Sequence, residues 1–251
     1  MSGSCIGCLN AETLPFDFSM AFQPIVDLRD GSVFAFEALA RGTKGEGAGT
    51  LFAQLSDDNL YAFDQQCRVK AIELSAHLGL METGAKLSIN FMPRAIYEPR
   101  ACIQLTLATG KRCGVSSDRL IFEFTESEVA DTDKLNAIVT LYRALGFQTA
   151  VDDFGAGHSG LSLLANMPPD ILKLDMELVR GIDKSAARGI MVKHLVAMAR
   201  DMGIDLVCEG VETAGELAML RELGVELAQG YFLCRPAFEH LPQAGEVRWR
   251  P

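Results

Sequence analysis

Residues 119–153 read RLIFEFTESEVADTDKLNAIVTLYRALGFQTAVDD, and this stretch holds one complete example of the pattern that decides the fold. Arg119–Phe124 is an apolar run typical of a strand, and Asp131–Leu145 has helical periodicity. Gly146 stops that helix, and Phe147–Asp152 is the next strand-like run. A helix that ends at glycine and is followed by a short apolar strand is typical of βα units in a parallel sheet. The stretch therefore predicts a strand–helix–strand unit.

The same unit recurs on both sides of this stretch. Further strand-like runs lie at Lys86–Phe91, Ile171–Leu174, Ile204–Cys208 and Glu226–Ala228, and helical patterns at Asn59–Leu78, Ala101–Thr109, Gly160–Asn166, Asp183–Met202 and Thr213–Leu223. About six or seven units follow one another without a linker-like break, which favours a single α/β domain with a (β/α)8 TIM-like barrel over a doubly wound sheet.

The start of the chain departs from this regular alternation. Two apolar runs, Met20–Val26 and Val33–Ala40, flank the turn Asp30-Gly31, and this arrangement predicts a hairpin. We therefore expect one antiparallel strand near the start of the barrel. Residues 1–17 are predicted to be an N-terminal lead-in, and residues 18–251 one barrel domain.

Composition restricts the partners and the compartment. The chain has 251 residues, 49% of them hydrophobic, and a formal net charge of −10. This charge argues against a nucleic-acid polymer as ligand, because a polyanion groove needs clustered Lys and Arg. The sequence has no signal-peptide pattern and no apolar run long enough for a membrane span, so we expect no membrane insertion and a cytoplasmic location. Cys5 and Cys8 form half of a zinc-type pattern, which is weak by itself.

Polar residues recur in or just after the apolar runs. They are Glu37, Asn90, Glu123, Glu126, Asp152, Asp153, Lys173, Asp175, Glu209, Glu212 and Gln229. In a barrel, the carboxyl ends of the strands converge on one face, where active sites are built. Any one of these acids alone is more simply a helix cap or turn former. Together, however, the carboxylates would repel one another unless cations were bound among them.

The kinds of donor restrict the metal. Glu37, Asn90, Glu123 and Asp152 offer oxygen ligands, and none of the four histidines ends a strand in this pattern. Oxygen donors suit Mg²⁺ or Mn²⁺ rather than zinc. The additional carboxylates of Asp153, Asp175 and Glu209 could hold a second ion about 3.5–4 Å from the first, as in two-metal hydrolases. The residues thus point to metal-assisted hydrolysis of a phosphodiester, whose identity they leave open.

A family resemblance supplies that identity. The motifs that carry it are Gln23-Pro24-Ile25-Val26-Asp27, Phe36-Glu37-Ala38-Leu39-Ala40-Arg41, Ser88-Ile89-Asn90, Phe122-Glu123-Phe124-Thr125-Glu126, Asp152-Asp153-Phe154-Gly155-Ala156-Gly157, Lys173-Leu174-Asp175, Glu209-Gly210-Val211-Glu212-Thr213 and Gln229-Gly230-Tyr231. In order and spacing they resemble the motifs of EAL-domain phosphodiesterases specific for cyclic di-GMP (c-di-GMP). The resemblance implies a TIM-like barrel that hydrolyses c-di-GMP to linear pGpG with two Mg²⁺ or Mn²⁺ ions, and so lowers the level of this bacterial second messenger.

The resemblance also implies a role for each matching residue. It makes Glu37, Asn90, Glu123 and Asp152 ligands of one metal, with Asp152 shared, and Asp153 part of the second site. Lys173 would hold or activate the attacking water, and Glu209 would orient it. Substrate contacts are implied for Gln23, Leu39, Arg41, Asp175 and Gln229. Glu126 would pin the loop at 154–160, and Glu212 would be a supporting residue.

Two alternatives remain beside an active hydrolase: a catalytically silent c-di-GMP receptor and a protein-interaction module. The silent members of the family typically lack one of the metal ligands or the loop glutamate, and this chain has them all. Its loop departs from the family at Ala156 and His158, which leaves the ligands intact. The family often dimerises through the helix after this loop, so the resemblance also implies a homodimer.

Overall fold

The computed structural model describes residues 14–125, 132–156 and 160–250. Its strands are β1 (Phe18–Asp27), β2 (Val33–Gly42), β3 (Lys86–Asn90), β4 (Leu120–Thr125), β5 (Gln148–Phe154), β6 (Ile171–Leu174), β7 (Asp205–Cys208), β8 (Leu227–Ala228) and β9 (Ala237–Phe238). Strands β2 to β8 pair in parallel and in chain order. Strand β1 pairs antiparallel with both β2 and β8, which closes the barrel.

The closed eight-stranded barrel and its single antiparallel strand confirm the predicted fold class. The hairpin prediction is also confirmed, because β1 and β2 pair over nine residue pairs between Phe18↔Gly42 and Val26↔Val33. Gly31 lies in the connecting turn with a φ of 81°, a left-handed conformation that glycine adopts without a steric penalty. The additional strand β9 pairs antiparallel with β1 at Ala21 and Phe22. The division at residue 17 stays a prediction, since residues 1–13 lie outside the described part.

Helices connect the strands and surround the barrel. They are α1 (Ala48–Phe52), α2 (Asp57–His77), α3 (Pro99–Cys102), α4 (Gln104–Cys113), α5 (Thr132–Ala144), α6 (Gly160–Asn166), α7 (Met176–Val179), α8 (Ala186–Met202) and α9 (Ala214–Glu222). None of the helices in the described ranges is long and apolar enough to cross a bilayer.

The sequence placed one helix wrongly. The pattern at Ala101–Thr109 predicted a helix that closes near Gly110, whereas α4 continues through that glycine to Cys113 and Gly114 provides the left-handed cap. Gly110 is needed for packing: a Cβ atom there would lie 2.8 Å from the carbonyl oxygen of Val115. A glycine required for a close approach thus resembled a helix stop in the sequence.

The barrel interior is apolar towards the end at which the parallel strands begin. Seven strands contribute one buried residue each to a separate apolar cluster: Ile25, Ala35, Ile121, Ala150, Ile171, Val207 and Leu227. Side chains alternate between the two faces of a strand, so residues two positions away point to the same side. The layer above this cluster is therefore built by the residues two positions further along each strand, towards the carboxyl ends of the parallel strands.

Candidate active site

The layer above the apolar cluster is polar. Two positions from the residues of that cluster come Gln23, Glu37, Glu123, Asp152, Lys173, Glu209 and Gln229. Because β1 runs antiparallel, its member Gln23 precedes Ile25 instead of following it. Residues far apart in sequence therefore meet at one rim of the barrel.

Lys173 lies at the centre of this layer. Its side chain is only 1% exposed, and its Nζ lies 2.8 Å from Glu209 Oε1, 2.9 Å from Glu123 Oε2 and 3.1 Å from Asp152 Oδ1. A fourth carboxylate oxygen, Glu37 Oε2, is 3.7 Å away. One ammonium group thus lies among four carboxylates, so most of their negative charge is not neutralised by this lysine.

Amide side chains hold the Glu37 carboxylate from two sides. Asn90 Nδ2 donates to Glu37 Oε1 at 3.1 Å, and Gln229 Nε2 donates to Glu37 Oε2 at 2.8 Å. The bond from Asn90 uses its amide nitrogen, so Oδ1 is the atom that Asn90 would offer to a cation. Within the described part of the chain, the buried Gln229 Oε1 has no hydrogen-bond partner.

Asp152 and Asp153 reach the same site because β5 is irregular. The β5–β6 register jumps from Val151↔Leu172 to Phe154↔Leu174, so two aspartates oppose the single residue Lys173. Asp153 has a φ of 54°, in the left-handed region where few residues other than glycine, Asn and Asp are found. A bulge of this kind redirects side chains that would otherwise alternate. It allows both carboxylates to face the barrel mouth.

The carboxylates form two groups that have the spacing of metal ligands. In the first group, oxygen atoms of Glu37, Glu123 and Asp152 lie within 4.8 Å of one another. In the second group, oxygen atoms of Asp152, Asp153 and Glu209 do the same. Asp152 belongs to both groups. The surplus of carboxylates and the orphaned buried Gln229 Oε1 fit hard divalent cations, which take oxygen ligands.

The pKa values of the site reflect crowded negative charge. Burial raises the pKa of Glu123 to about 8, and the nearby Glu37 and Asp152 carboxylates add to this effect while Lys173 opposes it. Burial and the charge of Asp152 raise the pKa of Asp153 to about 6. Burial disfavours the charged form of Lys173, but the surrounding carboxylates hold its pKa well above the usual value. A bound cation would relieve this repulsion.

Two cavities flank the carboxylates and share Glu37 and Asp153. The first has a volume of about 400 Å³ and contains Leu39, Arg41 and Asn90 in its lining. The second has a volume of about 250 Å³. The predicted site residues that line the second cavity are Gln23, Asp175, Glu209, Glu212 and Gln229. The structure therefore divides the predicted substrate contacts between two cavities on either side of the carboxylates.

Several predicted residues make local contacts in addition to lining a cavity. Asp175 caps helix α7 by accepting from the backbone N–H of Glu177 at 2.8 Å, which is the simple structural role that an acid after a strand often has. Gln23 Nε2 donates to the carbonyl oxygen of Cys234 at 3.1 Å. The exposed Glu212 pairs with Arg180 at 3.3 Å. The predictions for Glu126, His158, Cys5 and Cys8 lie outside the described residues.

Sequence reasoning missed two contributors. Ser88 donates a short hydrogen bond from Oγ to Glu123 Oε1, and its position two residues before Asn90 would have indicated that it shares the same face. The second is a buried ion pair between Asp64 and Arg68 in α2. Its sequence signal was the spacing of four residues, but such pairs usually lie on exposed helix faces.

Fold and site together define a (β/α)8-barrel protein with a carboxylate cluster at the carboxyl ends of its strands. The sequence model of the EAL domain matches residues 15–236, and the chain belongs to this family.

Solved structures of the family show the same fold. A standalone EAL protein from Vibrio cholerae O395, solved in a c-di-GMP bound form, is 47% identical with a TM-score of 0.87, and the match covers 92% of this chain and 97% of that one. BlrP1 from Klebsiella pneumoniae, in a manganese and c-di-GMP complex, is 34% identical with a TM-score of 0.84, over 91% of this chain and 58% of that one.

Curated relatives carry two kinds of name. The blue light- and temperature-regulated antirepressor BluF from Escherichia coli K12 is 30% identical over 88% of this chain and 55% of its own length. The cyclic di-GMP phosphodiesterase NbdA from Pseudomonas aeruginosa PAO1 is 30% identical over 86% of this chain and 28% of its own length. The chain thus spans roughly a quarter to a half of these two relatives.

Proposed function

We propose that the chain is a metal-dependent phosphodiesterase that hydrolyses c-di-GMP to linear pGpG. The observation that carries this proposal is the cluster of four carboxylates around Lys173, placed between two cavities at the barrel rim. A cyclic dinucleotide has a phosphodiester on either side of its ring and two bases that point apart. A charged centre flanked by two cavities suits that shape. The c-di-GMP bound to the relatives from Vibrio and Klebsiella supports the same substrate.

The first cation site would consist of Glu37, Asn90, Glu123 and Asp152, and the second would share Asp152 and include Asp153. Two divalent ions, when bound, supply positive charge to the phosphoryl oxygens and lower the pKa of water at the site. We take Mg²⁺ or Mn²⁺ as the ions because the donors are all oxygen atoms.

The chain's own groups would direct the water and the phosphate. Lys173 Nζ and Glu209 Oε1 are 2.8 Å apart at the centre of the cluster, where together they can orient a water molecule towards phosphorus. The oxygen of that water forms a new P–O bond while the bond from phosphorus to the 3′ oxygen of the ribose breaks, and the proton that the water loses is balanced by the proton that the leaving oxygen takes up. Arg41 and Leu39 line the first cavity, and Gln23 and Gln229 the second, as substrate contacts.

Turnover by purified protein tests this function. With Mg²⁺ or Mn²⁺, we expect conversion of c-di-GMP to pGpG, and we expect Glu37→Ala to abolish it because Glu37 bonds both Asn90 and Gln229 as well as facing the first cation site. Other cyclic dinucleotides and pGpG itself serve as comparison substrates. If the protein binds c-di-GMP but forms no pGpG with either Mg²⁺ or Mn²⁺, it is instead a catalytically silent receptor.

The second candidate function is an interaction module, and the name antirepressor for BluF is the observation that favours it. A partner protein that binds regardless of whether metal or c-di-GMP is present would support that function.

We also propose that the chain acts in the cytoplasm as a homodimer that associates through α6, where Leu161 is 65% exposed. Light scattering that shows only monomers with full activity would exclude the dimer.

A further inference from the structure

A buried ion pair borders the first cavity through Asp64, one of the residues that line it. Asp64 and Arg68, one turn apart in α2, approach to 2.6 Å between Oδ2 and Nη2, and their side chains are 1% and 0% exposed. Removing two charges from water is costly, and apolar residues of similar volume often give equal or greater stability. The pair is therefore better explained by a requirement for geometry than by a gain in stability.

Asp64 fixes the backbone next to a proposed metal ligand. Its Oδ1 accepts a hydrogen bond of 2.9 Å from the N–H of Met92, two residues after Asn90. Between them, the N–H of Phe91 donates to the carbonyl oxygen of Glu123 at 2.9 Å. The chain that leaves β3 is thus held by α2 on one side and by β4 on the other. The side chain of Asn90, directly before this segment, reaches Glu37.

Arg68 in turn holds Asp64 in place. Its Nη1 donates to the hydroxyl of Tyr142 at 2.9 Å. The guanidinium also lies 5.5 Å from the ring centre of Phe91 and 5.4 Å from that of Phe122. These contacts connect the ion pair to the residues that directly follow Asn90 and precede Glu123. The pair therefore supports two ligands of the first cation site without touching a cation.

We propose that Asp64 is a positioning residue that, through the N–H of Met92, orients Asn90 and thereby sets the cation affinity of the first site. Arg68 balances the charge of Asp64 and keeps its carboxylate immobile. This role rests on the proposed function, because it requires Asn90 to be a cation ligand.

Two double variants isolate the hydrogen bond to Met92. Asp64→Asn with Arg68→Leu removes both charges but keeps an oxygen acceptor, whereas Asp64→Leu with Arg68→Leu removes the acceptor as well. Asn and Leu have the same branched arrangement of four side-chain heavy atoms. We expect the dissociation constant for Mn²⁺ alone, measured by calorimetry, to rise roughly 10- to 100-fold in the Leu/Leu variant and about threefold or less in the Asn/Leu variant.

A matched control removes an anchoring carboxylate at the opposite end of the barrel. Asp170 Oδ2 accepts from the N–H of Thr149 at 2.8 Å, where β5 begins. Asp170→Ala should lower the unfolding temperature and leave the Mn²⁺ affinity unchanged. A purely structural effect of Asp64 would instead make the two Asp64 variants bind Mn²⁺ equally, and that result would overturn the positioning role.

A further variant guards against a Leu/Leu protein that fails to fold. Asp64→Glu keeps the charge opposite Arg68 but displaces the carboxylate relative to the N–H of Met92. We expect weaker Mn²⁺ binding by a folded protein whose unfolding temperature is about 2–10 °C lower, because the buried site has to accommodate one more methylene. Wild-type affinity in this variant would also contradict the positioning role. Because these titrations contain no nucleotide, missing turnover of c-di-GMP would contradict only the proposed function. Missing Mn²⁺ binding by the unaltered chain would overturn both.

Discussion

At the scale of single residues, the site is defined by an excess of negative charge around one lysine. Lys173 is as deeply buried as the apolar core, yet four carboxylate oxygens lie within 3.7 Å of its Nζ. A buried lysine normally loses its proton more easily, and the carboxylates reverse that tendency here. A charged group held in a site with little water can stabilise the negative charge that develops on the substrate in the transition state, because the group does not have to reorient during the reaction.

Lys173→Met tests this role. We expect the turnover of c-di-GMP to fall roughly 10²–10³-fold, the range for losing one group that stabilises charge in a transition state. Binding of Mn²⁺ should persist, because a positive neighbour is lost while the carboxylates remain. Lys86→Met is the matched control, since Lys86 begins β3 at the other end of the barrel and packs on Phe34. Equal turnover in the Lys173 variant and the wild type would contradict the role.

At the scale of elements, the bulge in β5 decides how many carboxylates reach the rim. A regular strand would point Asp152 and Asp153 to opposite faces. The left-handed conformation of Asp153 instead turns it to the same side, at a steric cost that Asp and Asn bear better than most residues. The proposed second cation site depends on this local irregularity.

Asp153→Asn should keep the bulge and lose the charge. We expect Mn²⁺ stoichiometry to drop from two ions to one, and turnover to fall roughly 10²–10³-fold. Asp153→Ala should lose the same ion and be less stable than the Asn variant by about 1–2 kcal/mol, because alanine bears the left-handed conformation poorly. The measurements are calorimetric titration with Mn²⁺ and urea unfolding. Two ions bound by the Asn variant would exclude Asp153 as a ligand.

The elements also show what the sequence could and could not predict. Glycine-stopped helices between apolar strands predicted the barrel, and polar residues after each strand predicted which side chains meet, because both follow from local periodicity. The bulge at Asp153 depends on the register with β6, and the Asp64–Met92 bond depends on how α2 docks beside β3. Neither leaves a local pattern. Gly110 was wrongly taken for a helix stop for the same reason, since its close approach to the carbonyl oxygen of Val115 exists only in the folded chain.

At the scale of the whole molecule, the carboxylate cluster without bound cations lowers the stability of the folded chain at high pH. The pKa of Glu123 is about 8 in the folded chain and 4.5 ordinarily, so the folded state holds a proton that the unfolded state has already released between these values. Stability therefore falls as pH rises through this window. A cation that binds only the folded chain restores it.

The unfolding temperature measures this linkage. In EDTA, we expect it to be lower at pH 8 than at pH 6. Mg²⁺ at about a hundredfold excess over its dissociation constant should raise it by about 5–10 °C at pH 8. At pH 6 and the same Mg²⁺ concentration, the rise in unfolding temperature should be smaller, because Glu123 and about half of the Asp153 side chains are protonated and bind the cation less tightly. Glu123→Gln should reduce both effects. The same gain at both pH values would contradict the proposed ligand set.

Anomalous diffraction from crystals of the chain grown with MnCl2 tests the two-cation site most directly. We expect two manganese peaks about 3.5–4 Å apart. One should touch Glu37, Asn90, Glu123 and Asp152, and the other Asp152 and Asp153. Peaks only elsewhere on the surface, or none at the barrel rim, would contradict it.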